Sequence, residues 1–128
     1  LLWSDDQHEI LWNVLPSHPI TAGIPEYVDL GIEEMYGEPF AIPEPDEVIF
    51  LGWFAGGEAF RSGVTFRREN GRIFYFQPGH EYCRSYYNPY VQKILKNAVN
   101  WVKPASFGYE IPDGAPQIKT KVIDEFQK

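Results

Sequence analysis

From Tyr27 to Met35 the chain alternates apolar and polar positions, with Val28, Leu30 and Ile32 against Asp29, Gly31 and Glu33. A period of two is the mark of a half-buried strand, because successive side chains point to opposite faces. Glu9 to Leu15 is apolar enough for an earlier strand, which Pro16 ends. Val48 to Phe54 is a continuous apolar run and predicts a strand buried on both faces. After the Ala55-Gly56-Gly57-Glu58 turn, Ala59 to Arg67 forms the return strand. Asn70-Gly71, inside Glu69 to Arg72, carries a tight-hairpin signal, and Arg72 to Gln77 is the next strand. Between these runs, Ser17 to Gly23 predicts a short helical turn: Ser17 or His18 caps it, Pro19 opens it and Gly23 closes it. Glu38 to Asp46 holds Pro39, Pro43 and Pro45 and must be a loop or an irregular edge.

Only one segment has the period of a strong helix. Asn88 caps it, Pro89 occupies its first turn, and Tyr90, Val91, Ile94, Leu95, Ala98, Val99 and Val102 form one apolar stripe. Lys103 complements the helix dipole and Pro104 stops the helix. Residues 105–128 are less regular, with a short terminal helix expected from Ile118 to Phe126. Several strands with one helix leave a buried strand short of cover. The chain also begins Leu1-Leu2-Trp3 without methionine. Both features lead to the expectation that this is the C-terminal part of a larger α/β domain, with helices missing upstream.

Composition narrows the function. A net charge of −7 argues against nucleic acid, which needs clustered Lys and Arg. No apolar run approaches the length of a membrane span, and the first residues given show no basic n-region followed by an apolar h-region. Cys83 is the single cysteine, so an internal disulfide is excluded and a reducing, cytoplasmic setting is expected. Aromatic residues make up 16% of the chain, a high share; most of those rings belong to the core, and a surplus could line a binding surface of the kind carbohydrates use.

Candidate chemistry falls in two clusters. Phe74-Tyr75-Phe76-Gln77-Pro78-Gly79-His80-Glu81 reads as a buried strand that stops at a Pro-Gly turn and presents His80 beside Glu81. Such a pair can bind a metal, move a proton or grip a polar ligand, or His80 can bond a loop backbone while Glu81 stays solvated. Upstream lie Glu33, Glu34, Tyr36 and Glu38, with Glu34 and Tyr36 on one strand face and Glu33 on the other. Clustered carboxylates raise one another's pKa or bind a cation. Glu34, Glu38 and His80 are expected in one pocket. Arg61, in an otherwise apolar segment, must pair with a carboxylate or clamp a polar ligand, the pairing being preferred. His18 is read as a cap, His8 as exposed and Cys83 as a small buried filler without a nucleophile elbow.

Ser17-His18-Pro19-Ile20, Glu33-Glu34-Met35-Tyr36-Gly37-Glu38, Pro45-Asp46-Glu47, Phe60-Arg61-Ser62-Gly63, Phe74 to Glu81 and Asn97-Ala98-Val99-Asn100-Trp101 resemble, in this order, the C-terminal half of the ThuA-like trehalose-utilisation family. The likeness covers roughly residues 10–104 and leaves 105–128 as a tail. It implies an α/β fold, flavodoxin-like and similar to class I glutamine amidotransferases, with three α/β/α layers. Full-length members are about twice as long, at the upper range of one domain. The resemblance implies a sugar-directed enzyme without glutaminase activity, acting on a disaccharide or keto-sugar by acid/base or metal-assisted chemistry. His80, Glu34 and Glu81 are then the catalytic set, and Tyr36, Glu38 and Arg61 the ligand contacts. His80 and Glu34 would hold any divalent metal such as zinc. The partner would be a small-molecule sugar, or a further copy in a homo-oligomer, with no nucleic acid and no membrane. The alternative is a non-catalytic carbohydrate-binding or regulatory module on the same scaffold.

Overall fold

A computed structural model describes residues 2–104. Five strands form one sheet in the order β2-β1-β3-β4-β5: β1 is Leu2–Asn13, β2 Tyr27–Gly37, β3 Glu47–Phe54, β4 Ala59–Arg68 and β5 Gly71–Phe76. Among the described residues a single α-helix, α1, runs Pro89–Val102. All four strand pairs are antiparallel. The sheet curls toward a half-barrel. No helix among the described residues is long and apolar enough to cross a membrane.

The three-layer α/β/α expectation is therefore corrected. Parallel strands need crossovers of a dozen or more residues, whereas short links favour antiparallel neighbours. Here β3 returns as β4 through Ala55–Glu58, and β4 returns as β5 through Glu69-Asn70 alone, one residue earlier than the Asn-Gly signal indicated. Cover is also solved differently. Leu11, Val28, Leu30, Ile49 and Phe50 pack on Val91, Ile94, Ala98 and Trp101 of α1, with Ile20 and Ile24 between the strands. A second cluster of Met35, Phe54 and Phe60 is closed by Tyr36, Tyr75 and Phe40. Phe40 comes from the proline-rich segment and sits 5.3 Å from the Phe60 ring and 5.9 Å from Tyr75. A loop aromatic thus supplies cover that a second helical layer was expected to give. Val48 to Phe54 is not buried on both faces throughout, since Trp53 is 53% exposed.

Local signals govern the ends. His18 caps the 3-10 turn Pro19–Thr21 by accepting the Ile20 N–H at Nδ1, and it pairs with Glu47 at 3.2 Å. Burial holds its pKa below the ordinary value. Asn88 accepts the Tyr90 N–H at 2.9 Å and starts α1 where the sequence placed it. The buried stripe of α1 is rotated from the expected one: Val91, Ile94, Ala98 and Trp101 face inward, while Val99 is 65% exposed. Arg72 anchors Trp101 by stacking on its ring and donating to its carbonyl oxygen at 3.0 Å. The phase of the helix follows from that large aromatic, which buries more area than Val99 could. β5 is an edge strand with Ile73 exposed, so it is half-buried rather than buried. The terminal helix expected from Ile118 to Phe126 lies outside the described residues.

Candidate functional site

The site begins with a bulge. Gly31 stands at φ +73°, and the β1–β2 register shifts between Glu9/Gly31 and Ile10/Asp29. A residue added to one strand of a pair reverses the alternation beyond it. Val28 and Leu30 are buried before the bulge, but after it Ile32 turns outward and Glu33 and Met35 turn inward. The expected grouping of Ile32 with Val28 and Leu30 is thus corrected, and Glu33 becomes a fully buried carboxyl group. A second irregularity, at Ser4/Gln7 with Asp6 at φ +57°, breaks the start of β1 near Trp3, which pairs with Tyr36.

The third component is the turn after β5. Gln77 continues the ladder by donating its backbone N–H to Ser62 at 2.8 Å, and its Nε2 donates to the Glu34 carbonyl at 3.0 Å. Pro78 is buried, and Gly79 takes φ +125° with the Tyr86 ring where a Cβ would stand, 2.4 Å away. Only glycine fits that position. His80 follows, its Nδ1 accepting the Tyr82 N–H at 3.4 Å and its ring 5.2 Å from that of Tyr82. With Nδ1 as acceptor, neutral His80 carries its proton on Nε2.

These components enclose an open pocket of about 690 Å³, lined by Trp3, Asp5, Asp6, Glu34, His80, Tyr82 and Cys83. Trp3 and Tyr82 offer exposed aromatic surface, and three carboxyl groups and an imidazole surround it. Glu34 accepts the Tyr36 hydroxyl proton at 2.7 Å. That bond is the main reason the Tyr36 phenol is pushed up to about 12, so Tyr36 holds its proton and orients Glu34. Burial, with Glu33 nearby, pushes the Cys83 thiol up to about 11. Cys83 is therefore a half-buried wall residue and a poor nucleophile.

His80 and Glu34 thus come together as the sequence predicted, and Tyr36 touches Glu34. Glu38 is elsewhere, closing a two-point pair with Arg61 at 2.7 Å to Nε and 3.1 Å to Nη2. Glu38 also accepts the Phe40 N–H at 2.6 Å, while Arg61 donates to the Phe40 carbonyl at 3.0 Å. The guanidinium holds the Glu38 carboxyl below its usual range. The pair ties the proline-rich segment to β4, as the structural alternative for Arg61 anticipated. Glu81 is exposed and does not line the pocket. Among the described residues no three His, Cys, Asp or Glu side chains gather as a metal-binding group, so His80 and Glu34 stand as two donors without a third.

Trp3, Asp5, Asp6 and Tyr82 were not picked out from the sequence. An aromatic followed by paired acids, Trp3-Ser4-Asp5-Asp6, was the available signal. Behind the pocket lies a further polar group. Ser85 donates to Glu33, whose other oxygen accepts the Glu34 N–H at 3.3 Å. Glu9, also fully buried, meets Ser62 at 3.0 Å, and Ser62 meets Gln77 at 3.2 Å.

An antiparallel sheet with one covering helix, holding an acidic and aromatic pocket at the β1, β2 and β5 ends, is the class that the fold and site define. The sequence profile of the ThuA family, described as trehalose utilisation, matches residues 4–102. The chain belongs to that family, which ties it to trehalose utilisation. No curated protein matches the chain.

Proposed function

We propose that the 690 Å³ pocket binds a sugar or keto-sugar of the disaccharide class and that His80 acts there as the acid/base group. The observation that carries this reading is the lining itself: Trp3 and Tyr82 beside Asp5, Asp6, Glu34 and His80. The apolar face of a sugar ring packs on an aromatic side chain, while its hydroxyls donate to carboxylates. Membership of the trehalose-utilisation family supports the substrate class. With Nδ1 accepting the Tyr82 N–H, His80 has Nε2 free to meet a ligand hydroxyl in the pocket. Glu34, oriented by Tyr36, is placed to orient a hydroxyl or accept its proton. Glu38 and Arg61 satisfy one another and are assigned to stability rather than to the ligand. The lone cysteine supports a reducing compartment such as the cytoplasm.

Calorimetric titration with trehalose and with its oxidised keto form tests this. Trp3→Ala and His80→Ala should each weaken binding by about tenfold or more, equivalent to ~1.4 kcal/mol. Arg61→Met should leave affinity within about twofold and lower stability by about 1–2 kcal/mol, the range for a charged hydrogen bond discounted for partial exposure. Binding unmoved by Trp3→Ala and lost in Arg61→Met would place the ligand elsewhere. If His80→Ala binds sugar normally, the non-catalytic module is the better account.

A further inference from the structure

We propose that Glu9 stands as a neutral carboxylic acid at neutral pH and, as hydrogen-bond donor to Ser62, is a positioning residue for the turn that carries His80. The inference comes from counting protons along a buried chain. Gln77 Nε2 donates to the Glu34 carbonyl at 3.0 Å, which fixes the amide orientation and turns Oε1 toward Ser62, 3.2 Å away. Oε1 is an acceptor only, so the contact requires the single Ser62 hydroxyl proton. Ser62 Oγ also lies 3.0 Å from Glu9 Oε1. With its own proton spent on Gln77, Ser62 can only accept there, and the proton must belong to Glu9.

The opposite assignment fails twice. If Ser62 donated to an ionised Glu9, Gln77 Oε1 would face a lone pair without a donor. The second oxygen of Glu9, which is buried and has no hydrogen-bond partner, would then carry charge. A buried unpaired charge is far costlier than a buried neutral carbonyl oxygen. The surroundings agree. β3 presents Gly52 to Glu9 and β4 presents Ser62, neither of which titrates, and a Cβ on Gly52 would lie 2.2 Å from Glu9 Oε1 and 2.3 Å from Ser62 Oγ. β2 presents Glu33, a second carboxyl group whose two oxygens take the Ser85 hydroxyl and the Glu34 N–H. Among the described residues no cation contacts Glu9. Burial first, and Glu33 in addition, push Glu9 up from 4.5 to about 8, even with Ser62 free to turn its hydroxyl to the ionised form and lower it.

The chain links β1 to β4, then to Gln77, and through Gln77 to the backbone of Glu34. Gln77 lies three residues before His80, so losing the Glu9 proton turns the Ser62 hydroxyl to Glu9 and leaves the Gln77 side-chain oxygen without its donor behind both pocket walls. The effect on the pocket rests on the sugar-site reading above, whereas the protonation state does not.

The test uses the full chain with ¹³C-labelled glutamate side chains. The Glu9 carboxyl resonance, assigned through bonds in the wild type and by its absence from Glu9→Gln, should show the protonated acid at pH 7 and titrate near pH 8. Glu9→Gln offers an N–H to Ser62 and should keep the chain. From its raised folded pKa, Glu9 favours the folded state most below pH 4.5, and that contribution is lost as pH rises to about 8. The wild-type folding constant should therefore fall relative to Glu9→Gln by up to about tenfold per pH unit across that window. Sugar affinity should weaken above pH 8 in the wild type and stay level in Glu9→Gln. An ionised Glu9 resonance at pH 7, or parallel stability profiles, overturns the proposal, even in a variant that binds no sugar. A protonated Glu9 with no change of affinity across pH 8 overturns its positioning role alone, and absence of any sugar binding counts against the pocket reading and leaves the protonation result to stand.

Discussion

Single residues at this site do what their surroundings make them do. Cys83 is the clearest case, because burial and the nearby Glu33 keep its thiol protonated up to about pH 11. At pH 7.5 the thiolate fraction is roughly one in three thousand. Iodoacetamide should alkylate Cys83 at least about a hundredfold more slowly than a free cysteine, with the rate climbing tenfold per pH unit toward pH 11. Alkylation at the free-cysteine rate at pH 7.5 would contradict the wall-residue assignment. The sequence made several such roles readable. His18 is a cap, Arg61 pairs with a carboxylate, and His80 and Glu34 share a pocket. Glu9 and Glu33 were not readable as a buried pair, because neither burial nor a partner 53 positions away is written in local spacing. Glu33 needed the Gly31 bulge to turn inward, and a glycine in an alternating run does not announce the direction of its φ.

Elements were more legible than their arrangement. α1 begins and ends where Asn88 and Lys103 place it, and the proline-rich segment is irregular as expected. The phase of its buried stripe was set by tertiary packing, with Trp101 replacing Val99 on the inner face. Ile94→Ala should therefore cost about 2–5 kcal/mol in chemical denaturation, whereas Val99→Ala should stay within about half a kcal/mol. Equal costs would restore the stripe read from periodicity alone. The start of β1 was illegible for a different reason. Ser4-Asp5-Asp6-Gln7 has no apolar rhythm, and its strand exists because β2 pairs with Leu2, Trp3 and Ser4 and again from Gln7, across the irregularity at Asp5-Asp6.

At the scale of the molecule, strand periodicity says which residues face inward but not which strands lie side by side. A continuous apolar run such as Val48 to Phe54 suits a parallel sheet between helical layers. It equally suits an antiparallel sheet whose curl and loop aromatics close its second cluster. That ambiguity produced the three-layer expectation, and Phe40 and the short hairpins resolve it. The same curl brings the first residues of β1, the bulged half of β2 and the turn after β5 around one pocket. A second, smaller cavity of about 250 Å³ lies beside Trp53, with His8 and Ile10, and provides an internal control. The most direct measurement is an NMR titration of the full chain with a disaccharide, following the tryptophan indole N–H signals. The account predicts that Trp3 shifts in a saturable manner together with His80 and Tyr82, while Trp53 stays unmoved. Saturable shifts at Trp53 with Trp3 and His80 unchanged would contradict it.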